Sequence, residues 1–247
     1  MTEITKNSTI GLVIAENVKT APIFDNYGIN IGRKNTKKIG EVCQKLDLNI
    51  ENILADLHKV PPPLPGEQPD FLNMPLDELC KYIVVNHHQF LYRNVPKMEE
   101  YLIKASEYQG NEFPALHSAL KSFKDFEEIM YRHLKMEEQE YFPFVKKMVK
   151  IANKETVYNQ SFPHSTRSYV KILTNDHRKA SKLVAKVCRF VKYKNPPKNA
   201  SDNYLKFIQL VDKLHQDIFL HITLEDSILQ PKSIDLEQQI NALKVIN

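Results

Sequence analysis

Two segments of this chain share a pattern in which a histidine precedes a glutamate by four residues. The first reads HLKMEEQEYFP from His133 and the second reads HITLEDSILQP from His221, so Glu137 and Glu225 hold equivalent positions. Side chains four residues apart lie on the same side of an α-helix, about 6 Å apart. Each segment can therefore aim one imidazole and one carboxylate at the same point, which is a spacing typical of metal ligands.

Two further histidines extend this pattern into a longer repeat. His87 precedes His133 by 46 residues, and His177 precedes His221 by 44 residues. At that separation each earlier histidine lies on the helix before, so the chain reads as two helical hairpins in tandem.

Helical periodicity continues over four long stretches, at about residues 75 to 108, 113 to 149, 165 to 192 and 203 to 230. Clusters of Gly, Asn and Pro separate them. The low glycine count, six in all, and the absence of a strand-like alternation argue against any sheet. We predict an all-α fold built on an up-down-up-down four-helix bundle.

The proline-rich segment VPPPLPGEQPDF divides the chain, because its prolines forbid a regular helix and favour an extended spacer. A core of about 55 residues before it is marginal by itself, so this part should dock on the larger domain or on another subunit. The predicted divisions are a small helical N-terminal domain at 1–59, a linker at 60–71, the four-helix bundle at 72–235 and a C-terminal tail at 236–247.

The candidate metal ligands among the nine histidines are those that lie on the apolar stripe of a bundle helix. In the first helix the stripe through Leu79, Ile83 and His87 steps by fours, whereas His88 follows Val84 on a neighbouring face. An unpaired polar group in an apolar interior would destabilise the fold by roughly several kcal/mol, and binding to a metal ion removes that cost. The predicted metal ligands are His87, His133, Glu137, His177, His221 and Glu225.

Other polar side chains near this pattern receive different roles. Glu138 and Asp226 follow the ligand acids and lie off the stripe, so they are either solvated or in contact with the ligands from outside. Asp176, directly before His177, could ease the departure of a metal ion from outside the ligand set or line an exit path. Four histidines are assigned to the surface or to ordinary packing: His58, His117, His164 and His215. A bundle with purely structural histidines is the alternative.

The donor set indicates the metal. Six nitrogen and oxygen ligands without a thiolate exceed one tetrahedral zinc site and suit iron or manganese. We therefore predict two ions joined by an oxo or hydroxo bridge. This arrangement leaves roughly one open position on each metal for a diatomic molecule or a small oxidant, which makes the site redox-active.

Composition excludes several classes of partner and location. The net charge of +4 comes from 34 basic and 30 acidic residues spread along the chain, so neither nucleic acid nor a membrane surface is implied as a partner. No secretory signal opens the sequence, and no stretch of 18 apolar residues could cross a membrane. Three widely spaced cysteines, an odd number, indicate a reducing compartment, so we expect a cytoplasmic protein. These cysteines are Cys43, Cys80 and Cys188.

The chain resembles the hemerythrin-like di-iron domain and, more narrowly, the iron-sulfur cluster repair (RIC, repair of iron centres) family. The resemblance is carried by His87 in VVNHHQFLYRNVP, by His177 in NDHR and by the two His-x-x-x-Glu segments. The segments IGLVIAENVKTAPIFDNYGI and IGEVCQKLDLNIENILADL resemble the small leading domain of that family, so nearly the whole chain is covered. Oxygen-carrying hemerythrins have a ligand set richer in histidine, which favours the repair branch.

This resemblance implies a protein with two iron ions that repairs iron-sulfur clusters damaged by nitrosative or oxidative stress. Iron would come from a labile di-iron centre, and the clients that receive it would be damaged iron-sulfur proteins. Nitric oxide or oxygen would be the small ligands of the centre. The protein would be a monomer or a homodimer. One departure concerns the family's Cys-Cys-Gly-Gly after the YGI turn at 27–29, where this chain has GRKN at 32–35. Any step that needs the thiol pair is in question.

Two alternatives remain open at this point. In one, the reduced iron pair binds and reduces nitric oxide or oxygen, which would make the protein an enzyme. In the other, the bundle senses oxygen, nitric oxide or iron and signals through the N-terminal domain.

Overall fold

The computed structural model describes residues 3–156, 165–193 and 195–246 of this chain. Within these residues the fold is all-α, as predicted, and the only β feature is an isolated antiparallel bridge between Thr9 and Lys38. Five short helices and a 3₁₀ turn form the N-terminal part. They are α1 (Ile10–Glu16), the 3₁₀ turn (Val18–Thr20), α2 (Ala21–Asn26), α3 (Ile31–Lys34), α4 (Ile39–Leu46) and α5 (Ile50–His58).

Four long bundle helices follow the linker, and π-helical turns of five residues interrupt three of them. The first bundle helix consists of α6 (Leu76–Ile83), a π turn (Val84–His88) and α7 (Gln89–Gln109). The second consists of α8 (Ala115–Met136), a π turn (Glu137–Tyr141) and α9 (Phe142–Ala152). The third is α10 (Thr166–Phe190), and the fourth consists of α11 (Asp202–Leu224), a π turn (Glu225–Leu229) and α12 (Gln230–Ile246).

Neighbouring bundle helices run antiparallel. Residue pairs that join two neighbouring helices advance along one helix while they go back along the other. These pairs are, in bundle order, His88 with Glu138 and Ser106 with His117, His133 with His177 and Tyr141 with Tyr169, His177 with Asp226 and Thr174 with Gln230, and His87 with Asp217 and Gln109 with Ser201. The four helices therefore form a closed bundle with an up-down-up-down course.

The fourth bundle helix runs further than its periodicity predicts. It continues through α12 to Ile246, and α12 packs on α9 and α10. Ile240 is buried in this contact. The predicted boundary between bundle and tail at residue 235 thus falls inside a helix, and Asn247 lies outside the described residues.

The N-terminal helices pack directly on the bundle. Helices α1 and α3 both contact α11, and α3 also contacts α10. Ile10, Phe24 and Ile31 belong to the same hydrophobic cluster as Ile222 of α11. Gly32 permits a close approach to α10, because a Cβ atom there would lie 2.0 Å from the Oγ of Ser181. The linker at 60–71 forms turns and irregular backbone, and hydrogen bonds join it to the N-terminal part at Asn17 and Val18.

No helix in the described part of the chain is both long and apolar enough to cross a membrane. The three cysteines are buried, and no disulfide joins any two of them among the described residues. The thiols are therefore packing groups in the core.

Candidate metal centre

Two overlapping groups of buried side chains lie in the bundle interior, close to the three π turns. In each group the candidate ligand atoms all lie within 4.8 Å of one another. Every one of these residues is completely buried, at 0% exposure. One group is His88, Glu137, His221 and Glu225, and the other is His133, Glu137, His177 and Glu225. The two glutamates are thus common to both groups.

Glu137 faces three imidazoles. Its Oε2 atom lies 3.3 Å from the Nε2 of His88 and 3.2 Å from the Nε2 of His133. The Nε2 of His221 is 3.9 Å from the same oxygen. This carboxylate therefore lies between histidines of the first, second and fourth bundle helices.

Glu225 occupies the equivalent position in the second repeat. Its Oε2 atom lies 2.8 Å from the Nε2 of His177 and 3.7 Å from that of His133, and its Oε1 lies 2.7 Å from the Nε2 of His221. The Nε2 atoms of His133 and His177 are themselves only 3.2 Å apart. Four Nε2 atoms from four helices thus converge on two carboxylates.

Two of the three π turns lie just before the proline that ends each repeat. Pro143 is the second residue of α9 and Pro231 the second residue of α12, and a π turn directly precedes both helices. Proline cannot donate to the carbonyl four residues earlier, and its ring clashes with that carbonyl in a regular α-helix. An extra residue in the turn relieves this conflict. Glu137 and Glu225 are the first residues of these two π turns.

The structure places His88, and not the predicted His87, against the two glutamates. His87 belongs to neither group, and its Nδ1 atom lies 2.8 Å from the Oδ1 of Asp217. The prediction assumed a constant helical period from Leu79 to His87. The π turn Val84–His88 adds one residue to that turn, so the inward position passes to the next residue. The other five predicted ligands do lie in the two groups, and their binding of metal stays a prediction.

Two further carboxylates hold histidines of this centre in place. The Nδ1 of His88 lies 2.8 Å from Glu138, and the Nδ1 of His177 lies 2.7 Å from Asp226. A carboxylate can only accept, so in both cases Nδ1–H donates and Nε2 points to the centre, where a metal ion would replace any proton on Nε2. The sequence is compatible with a solvated position for these acids or with contact to the ligands, and the structure shows that they orient histidines of the centre.

Asp176 is buried but has a different partner. Its Oδ1 atom accepts a hydrogen bond from the Nη2 of Arg132 at 3.0 Å, and its Oδ2 has no hydrogen-bond partner among the described residues. Asp176 is thus hydrogen-bonded to the second bundle helix. The effect of Asp176 on iron release stays a prediction.

The histidines assigned to the surface or to packing lie apart from the centre where the structure describes them. The Nε2 of His58 lies 3.0 Å from the carbonyl oxygen of Ile4, and His117 pairs with Ser106. His215 packs on Phe219, with ring centroids 4.2 Å apart. The fourth of these residues, at position 164, is outside the described residues.

Charge and burial act in opposite directions on the centre. Burial lowers the pKa of His177, but neighbouring carboxylates outweigh it and raise the pKa well above its usual value. The same balance raises the pKa of His88 to about 9, whereas burial prevails at His221 and lowers its pKa. Burial raises the pKa of Glu225, but the surrounding imidazoles hold it well below its usual range. A metal ion must therefore displace protons to bind here.

The donor atoms suit a cation. The Oε1 of Glu137 is buried without a hydrogen-bond partner among the described residues, and the Oε2 of each glutamate faces two or more imidazole nitrogens. Buried polar atoms without partners are costly, and charged ones are more so. Imidazole and carboxylate donors without a thiolate suit iron or manganese. The cluster therefore has the chemistry of a metal site.

Comparison with known proteins supports the resemblance to the iron-sulfur cluster repair family. No family model matches this chain. The chain is 23% identical over 232 residues to the iron-sulfur cluster repair protein ScdA of Staphylococcus epidermidis, which covers 93% of this chain and 99% of that protein. It is 20% identical over 227 residues to the protein of the same name from Staphylococcus haemolyticus, covering 92% and 97%. The iron-sulfur cluster repair protein YtfE of Escherichia coli is 20% identical over 219 residues, covering 87% and 91%. These low but nearly full-length similarities support the resemblance to the repair family.

Proposed function

We propose that this chain is a non-haem di-iron protein that repairs iron-sulfur clusters damaged by nitrosative or oxidative stress. The observation that carries the proposal is the sharing of Glu137 and Glu225 by two groups of four buried residues. Two ions held side by side would each have two imidazoles of their own and would share both carboxylates. The relatives named as iron-sulfur cluster repair proteins support the choice of iron and of this task.

The ligands divide into two pairs of histidines around the shared glutamates. His88 and His221 would hold one iron, and His133 and His177 would hold the other. When bound, the iron pair, joined by an oxo or hydroxo group, supplies redox chemistry and open positions for nitric oxide or oxygen. The chain itself supplies a dry interior and histidines fixed by Glu138 and by Asp226 on Nδ1.

Iron in this proposal is also the cargo that a client receives. Four neutral imidazoles and only two carboxylates compensate the charge of two ions incompletely, which favours the departure of one ion. Thiolates of a damaged cluster site are softer ligands that iron-sulfur clusters prefer. The clients would be damaged iron-sulfur proteins in the cytoplasm, and donation by this route uses none of the thiols that the GRKN segment lacks.

The test is iron transfer from loaded protein to a damaged client. A [4Fe–4S] dehydratase inactivated by nitric oxide serves as the client, and protein loaded anaerobically with ferrous iron serves as the donor. We expect about two irons per chain, as six such ligands require, and recovery of client activity. Glu137→Gln should lose both properties. Glu140→Gln, which changes an exposed acid of the same π turn, should retain them. No stoichiometric iron, or one zinc per chain, would contradict the proposal.

A sensor of oxygen, nitric oxide or iron is a second candidate, because the N-terminal part contacts the centre. The Nδ2 of Asn35 donates to the Oδ2 of Asp226 at 3.3 Å, and Asp226 orients His177. A change at the metal would reach α3 through this contact. Solution scattering of metal-free, oxidised and reduced protein tests it. Different profiles would favour the sensor, and identical profiles would leave repair as the better account.

A further inference from the structure

The positive charge of this chain is concentrated on one bundle helix. Helix α10 contains seven lysine and arginine residues and a single acid, Asp176. This acid is only 2% exposed and pairs with Arg132 of α8, so the exposed surface of α10 carries cations and no carboxylate. Seven cations less one acid give α10 a charge of +6, and the whole chain has +4, so the remainder has a net charge of −2.

The exposed cations of α10 include a row along one side of the helix. Arg178, Lys182 and Arg189 follow one another at spacings of four and seven residues, which places them on the same side of an α-helix. All three are exposed, and so is Lys192, just after the end of the helix. From Arg178 to Arg189 the row covers about 17 Å, at a rise of about 1.5 Å per residue.

The N-terminal part extends this row with two further cations. Gly32 of α3 lies against Ser181, which directly precedes Lys182. The two residues that follow Gly32 are Arg33, which is exposed, and Lys34, which is partly exposed. Both therefore border the row on α10.

Together these cations form a surface that we call the basic face. The ion pairs of Asp176 go to Arg132 and to Lys179, outside this face. No carboxylate of the described residues forms an ion pair with any member of the face, so its charge is available to a partner. The members are Arg33, Lys34, Arg178, Lys182, Arg189 and Lys192.

A cavity of about 550 Å³ lies between α10 and the N-terminal part, at one end of the basic face. Arg189 and Lys192 line this cavity together with Asn30, and Asp25 is the one acid among its described lining residues. An arginine can hold a carboxylate through two parallel hydrogen bonds. The cavity thus offers a place for an acidic side chain of a partner.

The basic face lies close to the candidate metal centre. Arg178 directly follows His177, whose ring the same helix directs into the bundle interior. An α-helix with its side chains is about 10 Å across. A partner on the exposed side of α10 would therefore be separated from His177 by roughly the thickness of one helix.

The composition of the surface favours an acidic protein over nucleic acid. The bases of single-stranded nucleic acid stack on aromatic side chains. The most exposed aromatic residues in the described part of the chain, Tyr92 and Tyr108, lie on α7, which is opposite α10 in the bundle. Complementary charge between two proteins speeds their association and still allows the complex to dissociate. A donor that serves one client after another needs both properties.

We propose that the basic face docks an acidic surface of the iron-sulfur protein that receives iron. This inference rests on the iron-donating function proposed above. It assigns client recognition to the exposed side of α10 and to the adjoining end of α3.

The experiment reverses charges on this face. The double variant Lys182→Glu, Arg189→Glu changes the row on α10. The double variant Arg33→Glu, Lys34→Glu changes the neighbouring part of α3 and remains informative if the first variant folds poorly.

The matched control is the double variant Arg93→Glu, Lys97→Glu. It replaces one arginine and one lysine at exposed positions of α7, with the same change in net charge. Four quantities are measured: iron per chain after loading, the rate of iron release to an uncharged ferrous chelator, the affinity of iron-free protein for a [4Fe–4S] dehydratase of net negative charge, and the rate of iron transfer to that dehydratase. The salt concentration is about 20 mM or about 200 mM, and only at the higher value is the Debye length below about 10 Å.

We expect all chains to load equal iron and to release it equally fast to the chelator, because a small molecule needs no docking surface. At low salt the native chain and the control should bind the client at least about tenfold more tightly than the two face variants, and should transfer iron correspondingly faster. The higher salt concentration should remove most of this difference, because it screens exposed charges.

Equal binding of the client by the native chain and both face variants overturns the inference. An equal loss in the control variant also overturns it, because net charge and not this face would then govern binding. A DNA duplex is the comparison partner. If the native chain binds the duplex, the face variants do not, and client binding is unchanged, the face binds nucleic acid and the inference is wrong.

The two proposals fail in different ways. If iron-loaded native protein transfers no iron to the client or to the chelator, the donating function fails. If the native protein donates iron and the face variants donate equally fast, only the docking surface is wrong.

Discussion

Two adjacent histidines have different environments in this protein. His88 contacts Glu137 of the centre and Glu138 beside it, whereas His87 pairs with Asp217 of α11 outside the centre. Both are almost completely buried, so burial alone does not separate a ligand from a neighbour. The partner of each ring, and not its exposure, indicates its role.

Substitution of these two residues separates their roles. We expect His88→Ala to lower the retained iron well below two per chain, because the ion beside it loses one of its two histidines. His87→Phe should retain iron at the native level. Metal analysis of purified, iron-loaded protein measures both. The reverse result would restore His87 as the ligand.

The two acids that orient the histidines should differ in how much they strengthen iron binding. The side chain of Asp226 is 6% exposed and that of Glu138 is 32% exposed, so water screens Glu138 more. We expect Asp226→Asn to weaken iron binding by about 10 to 100-fold, the range found for such partners. Glu138→Gln should have a smaller effect. Competition with a ferrous chelator measures both, and equal losses would show that exposure does not set the difference.

The helices achieve this arrangement by departing from regular geometry at three places. Each π turn lies where a helix passes the centre, and each contributes one of its side chains to the two groups of candidate ligands. The third bundle helix, α10, has no π turn and contributes His177 from a regular α-helix. Asn35, which directly follows α3, adds a contact to Asp226 from outside the bundle.

The docking of α3 depends on the absence of a side chain at Gly32. A Cβ atom there would lie 2.0 Å from the Oγ and 2.9 Å from the Cβ of Ser181, distances at which the backbone must shift. We expect Gly32→Ala to lower the free energy of unfolding by about 1 to 3 kcal/mol, the usual cost of overpacking. Urea unfolding measures it. In the double variant Gly32→Ala, Ser181→Gly the loss should be smaller than the sum of the single changes, and additive losses would contradict a direct clash.

The molecule as a whole joins its N-terminal part and bundle in one core. Buried residues of α1 to α5 belong to the same hydrophobic cluster as buried residues of α7, α8, α10 and α11. The candidate metal centre lies within the same bundle, and its candidate ligands come from all four bundle helices. Metal binding should therefore stabilise the whole fold and not a single loop.

Iron removal tests this connection. At a free iron concentration 100 times the dissociation constant, linkage predicts a gain of about 2.7 kcal/mol in the free energy of unfolding. Thermal unfolding of loaded and chelator-treated protein, under anaerobic conditions, measures the shift. Glu137→Gln should show a much smaller difference between the two states. An unchanged melting temperature in the native chain would mean that the cluster does not bind iron tightly.

Local spacing was sufficient for much of this description. The 3.6-residue period predicted the all-α bundle, which the structure confirms, because an amphipathic stripe reports directly on the buried face of a helix. The repeated His-x-x-x-Glu spacing predicted His133 with Glu137 and His221 with Glu225, because both members of each pair lie on one helix. The structure brings these residues together with His177.

Long-range packing determines the features of the site that the spacing along one helix does not predict. Whether His87 or His88 turns inward depends on the π turn, and periodicity cannot reveal an extra residue that packing against neighbouring helices makes tolerable. The pairs His88 with Glu138 and His177 with Asp226 join residues 50 and 49 positions apart. A cavity of about 620 Å³ beside His87 is lined by residues of α1 to α3 on one side and of the first and fourth bundle helices on the other. Each of these features needs two helices at a fixed distance, and a pattern read along one helix carries no information about that distance.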